Sequence, residues 1–154
     1  MATKIFFIAL SLFCLVGCDL NITQHNYLDA IEVARDFFEK SFIQNDVDKA
    51  YSLFGDALKS QITASELKGI IYQVHQGRLP TAFQVDAFST YSGKETISIF
   101  LSTLNYEPKL YYRITLDGTK RKGYLVSGFH VSPNEVPAKD NKIYLKEKVI
   151  IENF

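Results

Sequence analysis

The hydrophobic pattern of this chain changes period at Pro80, and that change limits the folds that the chain can adopt. Before Pro80 the apolar residues recur three and four positions apart, which is typical of amphipathic helices. After Pro80 they alternate with polar residues, which is typical of strands with one buried face. Short connections imply antiparallel hairpins, because parallel strands need a crossover. The pattern predicts an α+β fold, with two or three N-terminal helices packed on a curved antiparallel sheet of about four strands.

Three helical stretches precede Pro80. Asn45 or Asp46 is a candidate N-cap for the second helix, and residues 63–66 have the form of a capping box for the third. We expect Gly77 and Pro80 to end the third helix. The expected apolar stripes are Leu28, Ile31, Ala34, Phe38 and Phe42 in the first helix, Val47, Ala50, Tyr51, Phe54 and Leu58 in the second, and Leu67, Ile70, Ile71 and Val74 in the third.

Four alternating stretches follow Pro80 and supply the expected sheet. Their inward positions are predicted to be Phe83, Val85 and Ala87, then Ile97, Ile99 and Leu101, then Leu110, Tyr112, Ile114 and Leu116, then Tyr124, Val126 and Gly128. The opposite positions are partly apolar, so we expect part of the second face to be covered or to self-associate; they include Phe100, Leu104, Leu125, Phe129 and Val131. The predicted core where helices meet sheet is Phe38, Phe54, Ile70, Ile99 and Ile114.

The N-terminal residues have the organisation of an export signal. Lys4 is followed by an apolar run and then by Leu15-Val16-Gly17-Cys18, which resembles the lipobox of bacterial lipoprotein signal peptides. The resemblance implies cleavage before Cys18 and lipid on its thiol. Residues 1–17 are then the signal peptide, and residues 18–26 are a polar tether.

Two alternatives to a lipoprotein signal are weaker. The uncharged run from Ile5 to Cys18 would reach only ~21 Å as a helix, short of the ~30 Å hydrocarbon core that a transmembrane helix must span. An ordinary signal peptide with a soluble product does not account for a cysteine placed directly after a small residue. The lipid anchor is therefore the preferred interpretation.

Composition limits the activities of the exported part. The chain has two cysteines, Cys14 and Cys18, so after processing and lipidation neither a thiol nor a disulfide is expected in the domain. Basic and acidic side chains number 17 each, and this balance argues against nucleic-acid binding. The cluster Lys120-Arg121-Lys122 is interpreted as a solvated hairpin tip, with contact to anionic lipid headgroups as the alternative.

The order of elements resembles a known superfamily. The stretches Ala34-Arg35-Asp36-Phe37-Phe38, Asn45 to Phe54 (NDVDKAYSLF) and Gly123 to Phe129 (GYLVSGF) are similar to the nuclear transport factor 2-like, or cystatin-like, cone. The resemblance covers residues 27–132 and implies helices packed around a curved sheet with a pocket between them. Residues 133–154 are a C-terminal extension, in which Ile143 to Ile151 is expected to add a strand or to pair with another chain.

Candidate site residues are few. In enzymes of that superfamily, polar groups in the cone do acid–base work. The candidates here for lining such a pocket are Asp86 and His130, which lie in strand segments, and Tyr112 and Tyr124, which can donate hydrogen bonds. The competing interpretations are an exposed strand aspartate and a half-exposed structural histidine. The three histidines are widely spaced, and no metal-ligand pattern, phosphate-binding loop or serine-nucleophile motif occurs, so no metal, cofactor or catalytic residue is expected.

These observations predict a lipid-anchored protein of the bacterial cell envelope that binds a protein partner or a small ligand without catalysis. Asp19, directly after Cys18, resembles the signal that retains lipoproteins at the inner membrane in some Gram-negative bacteria, so the inner membrane is the expected location. Two alternatives are an isomerase- or dehydratase-like enzyme that uses the cone pocket, and a structural homodimer formed through the sheet face.

Overall fold

Four helices precede five strands in the part of the chain that the structure, a computed structural model, describes: residues 24–91, 93–137 and 142–152. A π-helical turn, Glu39–Ile43, continues the first helix. The elements are α1 (Tyr27–Phe38), α2 (Val47–Ser52), α3 (Asp56–Lys59), α4 (Ala64–Val74), β1 (Ala82–Thr90), β2 (Thr96–Thr103), β3 (Tyr111–Thr119), β4 (Gly123–Ser132) and β5 (Ile143–Glu152). The predicted α+β class is confirmed, but the sheet has five strands rather than about four.

Side-chain caps fix where the helices begin. The Asp46 carboxylate accepts a hydrogen bond from the Lys49 amide at the start of α2. Thr63 and Glu66 form the predicted capping box of α4, since the Glu66 amide donates to Thr63 Oγ1 and the Thr63 amide donates to Glu66 Oε2. Each cap satisfies backbone donors that the first helical turn leaves free.

The predicted second helix is interrupted. It divides into α2 and α3 because residues 53–55 pair with the edge of β4. The Val126 amide donates to the Leu53 carbonyl, and the Gly55 amide donates to the Val126 carbonyl, both at 2.9 Å. These bonds place Phe54 in the core at 2% exposure.

The strands form one antiparallel sheet in the order β4-β3-β2-β1-β5. The fifth strand comes from the C-terminal extension and pairs with β1. Val85 pairs with Val149 and Ala87 pairs with Tyr144. One residue of β1 lies between these pairs but four residues of β5 do, so β5 bulges over residues 145–148. This bulge carries two lysines and a glutamate, which is a common way to blunt a sheet edge.

The main core lies between the helices and one face of the sheet. Phe38, Phe54, Ile99 and Ile114 are buried there as predicted. The prediction for Ile70 is wrong, since 43% of it is exposed, and so are the stripe positions predicted for Leu28 and Val74, which are 56% and 39% exposed. The short helix α4 contributes to the core only through Leu67 and Ile71, one turn apart, so its buried stripe is too narrow to include Ile70.

A bulge in β4 changes which residues face the core. Thr115 pairs with Gly128 but Leu116 pairs with Val126, so Ser127 is the extra residue. After this bulge Phe129 and Val131, expected on the second face, pack against the main core instead. The predicted inward position of Gly128 is therefore wrong, because one inserted residue reverses the alternation.

The second face of the sheet, here called the outer face, is partly covered. Ala87 and Phe100 are buried on it by Val136, and Tyr111 packs at the border of this small cluster. The covering residue comes from the segment between β4 and β5. The expectation that Phe100 is covered is confirmed, and the cover is supplied by the chain itself. The prediction that Ala87 faces the main core is wrong: Val85 pairs with Leu101 and Ala87 with Phe100, so Asp86 is an extra residue that forms a bulge in β1 and reverses the alternation.

Candidate functional site

A cleft opens on the outer face, where β1, β2 and β3 meet the segment that leads into β5. It encloses about 350 Å³. Its floor includes Gln84, Phe100 and Tyr111, and Lys109 and Lys148 line its rim. We call this the outer cleft. It lies on the side of the sheet away from the helices, whereas the resemblance implied a pocket between sheet and helices.

One wall of the outer cleft is held by a small polar network. Lys142 Nζ lies 2.7 Å from Glu135 Oε1, and the Tyr144 hydroxyl donates to the same oxygen at 3.1 Å. Lys142 Nζ also lies 4.4 Å from the centre of the Phe100 ring, and its side chain is only 13% exposed. These contacts tie the segment before β5 to the floor of the cleft.

Electrostatics in this network keeps the carboxylate ionised. The hydrogen bonds from Lys142 and Tyr144 hold the pKa of Glu135 below its usual range. The same carboxylate raises the pKa of Tyr144 through its hydrogen bond and its charge, with a smaller contribution from Asp86. At neutral pH the pair is therefore a carboxylate anion and a phenol that donates its proton to a hydrogen bond.

Asp86 lies in this cleft, on the bulge of β1. It is half-buried, and Gln84 Nε2 donates a hydrogen bond to its Oδ1. Tyr144 shares the cleft with Asp86, but its hydroxyl bonds Glu135. Asp86 is thus one of several charged groups around the opening rather than half of an acid–base pair.

Tyr112 borders the back of the cleft, but its hydroxyl lies in the main core. It is 2.8 Å from His75 Nε2, and His75 Nδ1 is 2.6 Å from the Ile71 carbonyl oxygen. The carbonyl can only accept, so Nδ1 carries the proton, Nε2 accepts, and the Tyr112 hydroxyl donates. Burial lowers the pKa of His75 and raises the pKa of Tyr112, so both groups are neutral in the folded protein.

Sequence reasoning missed His75 as the partner of Tyr112. The two residues are 37 positions apart, and His75 is buried at 2% exposure. The available signal was the position of His75 at the C-terminus of α4, where a ring nitrogen can reach the carbonyl four residues back.

The other two candidates lie away from the outer cleft. The Tyr124 hydroxyl accepts a hydrogen bond from the Asn26 amide at 2.9 Å and lies 3.4 Å from His25 Nδ1. His130 is exposed on β4, opposite Arg113. The structure therefore brings Asp86 and Tyr112 to the cleft and places Tyr124 and His130 elsewhere.

A second depression lies between residues 44–48 and 64–68 and encloses about 470 Å³. It is more polar, and aromatic side chains do not contribute to it. Asp46, one of its carboxylates, already pairs with Lys49 at 2.7 Å. This depression offers less for ligand recognition than the outer cleft does.

Metal and membrane features can be stated for the described part of the chain. Within residues 24–91, 93–137 and 142–152, there is no cluster of three or more histidine, cysteine or acidic side chains that could hold a metal ion. None of the described helices combines the length and the apolar character needed to cross a membrane. Cys18 and the expected signal peptide lie outside the described residues.

Comparisons with protein-family models, with curated proteins and with solved structures found no match to this chain. Functional inference therefore rests on the residues of the chain and their geometry.

Proposed function

We propose that this protein is a lipid-anchored lipoprotein of the bacterial cell envelope that binds a small ligand or a protein segment in the outer cleft without chemical turnover. The observation that carries the binding half of the proposal is the cleft itself. Its volume of about 350 Å³ falls in the range of ligand pockets, roughly 300–1,000 Å³. The anchoring half rests on Leu15-Val16-Gly17-Cys18.

The side chains of the outer cleft favour a ligand that is both planar and anionic. The half-buried Tyr111 and the exposed Tyr144 offer ring surface above the buried floor of Phe100. The charge of Lys142 is already paired with Glu135, and the positive charges of Lys109 and Lys148 at the rim exceed the single carboxylate of Asp86. A carboxylate or phosphate group attached to a ring matches this combination.

Binding fits the polar groups of the cleft better than acid–base catalysis does. A catalytic carboxylic acid needs a raised pKa, and the pKa of Glu135 is lowered by Lys142 and Tyr144. A tyrosine base needs a lowered pKa, and the pKa of Tyr144 is raised. These directions support a site that holds charges in place rather than one that moves protons.

The cleft can be tested with phenyl phosphate as a probe. In ¹H–¹⁵N NMR titrations we expect amide shifts to concentrate at Gln84, Phe100 and Tyr111. The variant Lys109→Ala, Lys148→Ala should weaken binding, and Lys68→Ala, on an exposed position of α4, should not. Shifts scattered over the surface, or equal binding of uncharged benzyl alcohol, would contradict the cleft as an anion site.

The anchor can be tested by replacing Cys18 with Ser and fractionating the cells. We expect the variant to lose lipid labelling and membrane association, because the lipid is attached through that thiol. Membrane association with unchanged processing would show that the lipoprotein interpretation is wrong. Replacing Asp19 should shift the protein between membranes if that residue selects the inner membrane.

A homodimer is the second candidate, and the edge strand β5 favours it. Ile143, Tyr144 and Ile150 are 50%, 62% and 39% exposed. Such residues on an edge strand can pair with a second copy. Sedimentation velocity over a concentration series distinguishes a monomer from a homodimer, and a monomer at every concentration would contradict the homodimer.

A further inference from the structure

The start of the folded domain is fixed to one end of the sheet. The Lys120 amide donates to the Gln24 carbonyl at 3.1 Å, and His25 Nε2 lies 3.0 Å from the Lys94 carbonyl. The Asn26 amide donates to the Tyr124 hydroxyl at 2.9 Å. The chain therefore enters the domain beside the β1–β2 and β3–β4 turns, which we call the hairpin end.

Few residues connect this end to Cys18 along the chain. Gln24 lies six positions after Cys18, and an extended chain reaches at most about 3.3–3.6 Å per residue. If Cys18 carries lipid, as the proposed function holds, the entry point at Gln24 stays within about 20 Å of the bilayer surface. A tether of this length limits how far the hairpin end can turn away.

Basic side chains are concentrated at the hairpin end. Lys94, Lys120 and Arg121 are exposed, and Lys122 is half-exposed in an ion pair with Glu95 at 2.7 Å. The carboxylates in the same region belong to Glu95, Asp117 and Asp29 at the start of α1, and Asp19 lies in the tether. Cationic groups exceed carboxylates among the described residues of this end, although the whole chain is balanced.

The outer cleft lies toward the opposite end of the sheet. Lys109 and Tyr111, which line it, are at the start of β3, whereas Asp117 is near the end of β3 by the hairpin tips. Six residues of strand correspond to roughly 20 Å. A domain that rests on its hairpin end would thus hold the cleft well away from the headgroups.

We infer that the hairpin end docks on anionic lipid headgroups, so that the outer cleft opens to the aqueous side and takes a water-soluble ligand. Each basic side chain near an anionic surface adds about a fivefold preference. Once the Lys122–Glu95 pair is set aside, three cationic groups remain against the carboxylates of Asp29 and Asp117. The net excess of one charge gives about a fivefold orientational preference to a domain that lipid already holds at the surface. The attraction acts within a Debye length of about 8–10 Å, which the short tether keeps within reach.

Lysine acetylation read by mass spectrometry tests this orientation with the lipidated protein in vesicles. The vesicles contain either phosphatidylcholine alone or about one third phosphatidylglycerol. On the anionic vesicles Lys94 and Lys120 should be acetylated at about one third of their rate on neutral vesicles or more slowly still, whereas the rates of Lys68 and Lys146 should not change. Salt near 1 M, where the Debye length is about 3 Å, should remove the difference. Equal reactivity of all four lysines on both vesicles would overturn the inference.

A charge-reversal variant provides the matched test. Lys120→Glu, Arg121→Glu should abolish the protection of Lys94 on anionic vesicles, and Lys68→Glu should preserve it. The backbone bond from residue 120 to Gln24 does not depend on the side chain, and an unchanged melting temperature checks that the fold is retained. Protection of Lys94 that survives the charge reversal would also overturn the inference.

A chemical tether separates this inference from the lipoprotein proposal. A chain that starts at Cys18 keeps every described residue and has one thiol, which can be coupled to a maleimide lipid. Selective protection of Lys94 and Lys120 in this form supports the docking surface even if cells do not lipidate Cys18. Absence of protection here overturns the docking surface even if cells do lipidate it.

Discussion

Replacing Tyr112 with Phe tests a buried polar pair that joins the C-terminus of α4 to the sheet. The change removes only the hydroxyl, so the ring that packs against Phe38 and Phe83 stays in place. What is lost is the hydrogen bond to His75 Nε2 at 2.8 Å. Because His75 is 2% exposed, its nitrogen has poor access to water as a replacement partner.

The expected cost follows from leaving that acceptor unpaired. A buried polar group without its partner destabilises a fold by about 1–3 kcal/mol. For a domain of this length, 1 kcal/mol corresponds to a fall of very roughly 4 °C in melting temperature. We expect Tyr112→Phe to melt about 4–12 °C below the wild type, still folded at room temperature.

The assay is urea unfolding followed by circular dichroism, with Tyr144→Phe as the matched control. The Tyr144 hydroxyl also donates one hydrogen bond, but its residue is 62% exposed and its partner is a surface carboxylate. The control should change stability by less than about 0.5 kcal/mol. If Tyr112→Phe were as stable as the control, the reasoning that the buried pair stabilises the fold would be refuted.

Three other predictions concern stability. Burial lowers the pKa of His75 in the folded protein, so below about pH 6.5 the unfolded chain binds a proton that the folded protein does not. The free energy of unfolding should therefore fall as the pH is lowered from about 6.5 to the pKa of the folded state. His75→Gln should flatten this slope in urea titrations at several pH values. Phe54→Ala should cost about 3–5 kcal/mol and Ile70→Ala less than about 1 kcal/mol, and equal losses in thermal melts would contradict the assigned face of α4. Thr63→Ala removes the capping box and should cost about 1 kcal/mol by urea unfolding, whereas Ser65→Ala, outside the box, should cost little.

Elements that depend on neighbouring residues could be predicted from the sequence. The change of period at Pro80 predicts the α+β order because helices and strands present side chains every 3.6 and 2 residues. The Thr63–Glu66 capping box closes within one helical turn. The hairpin tip at Lys120-Arg121-Lys122 lies between two strands adjacent in sequence. In each case the interacting groups are a few residues apart, so local pattern was sufficient.

Features that depend on pairing between distant segments were decided by the tertiary structure. The bulge at Ser127 turned Phe129 toward the core, and the edge of β4 divided the predicted second helix at Phe54. The hydrogen bond between His75 and Tyr112 joins residues 37 positions apart, and the outer cleft combines β1 to β3 with the segment that leads into β5. The sequence by itself determined the order of helical and strand segments and the α+β class. The contacts between segments set where the elements break, their register, their burial and the shape of the site, because those depend on where each segment packs.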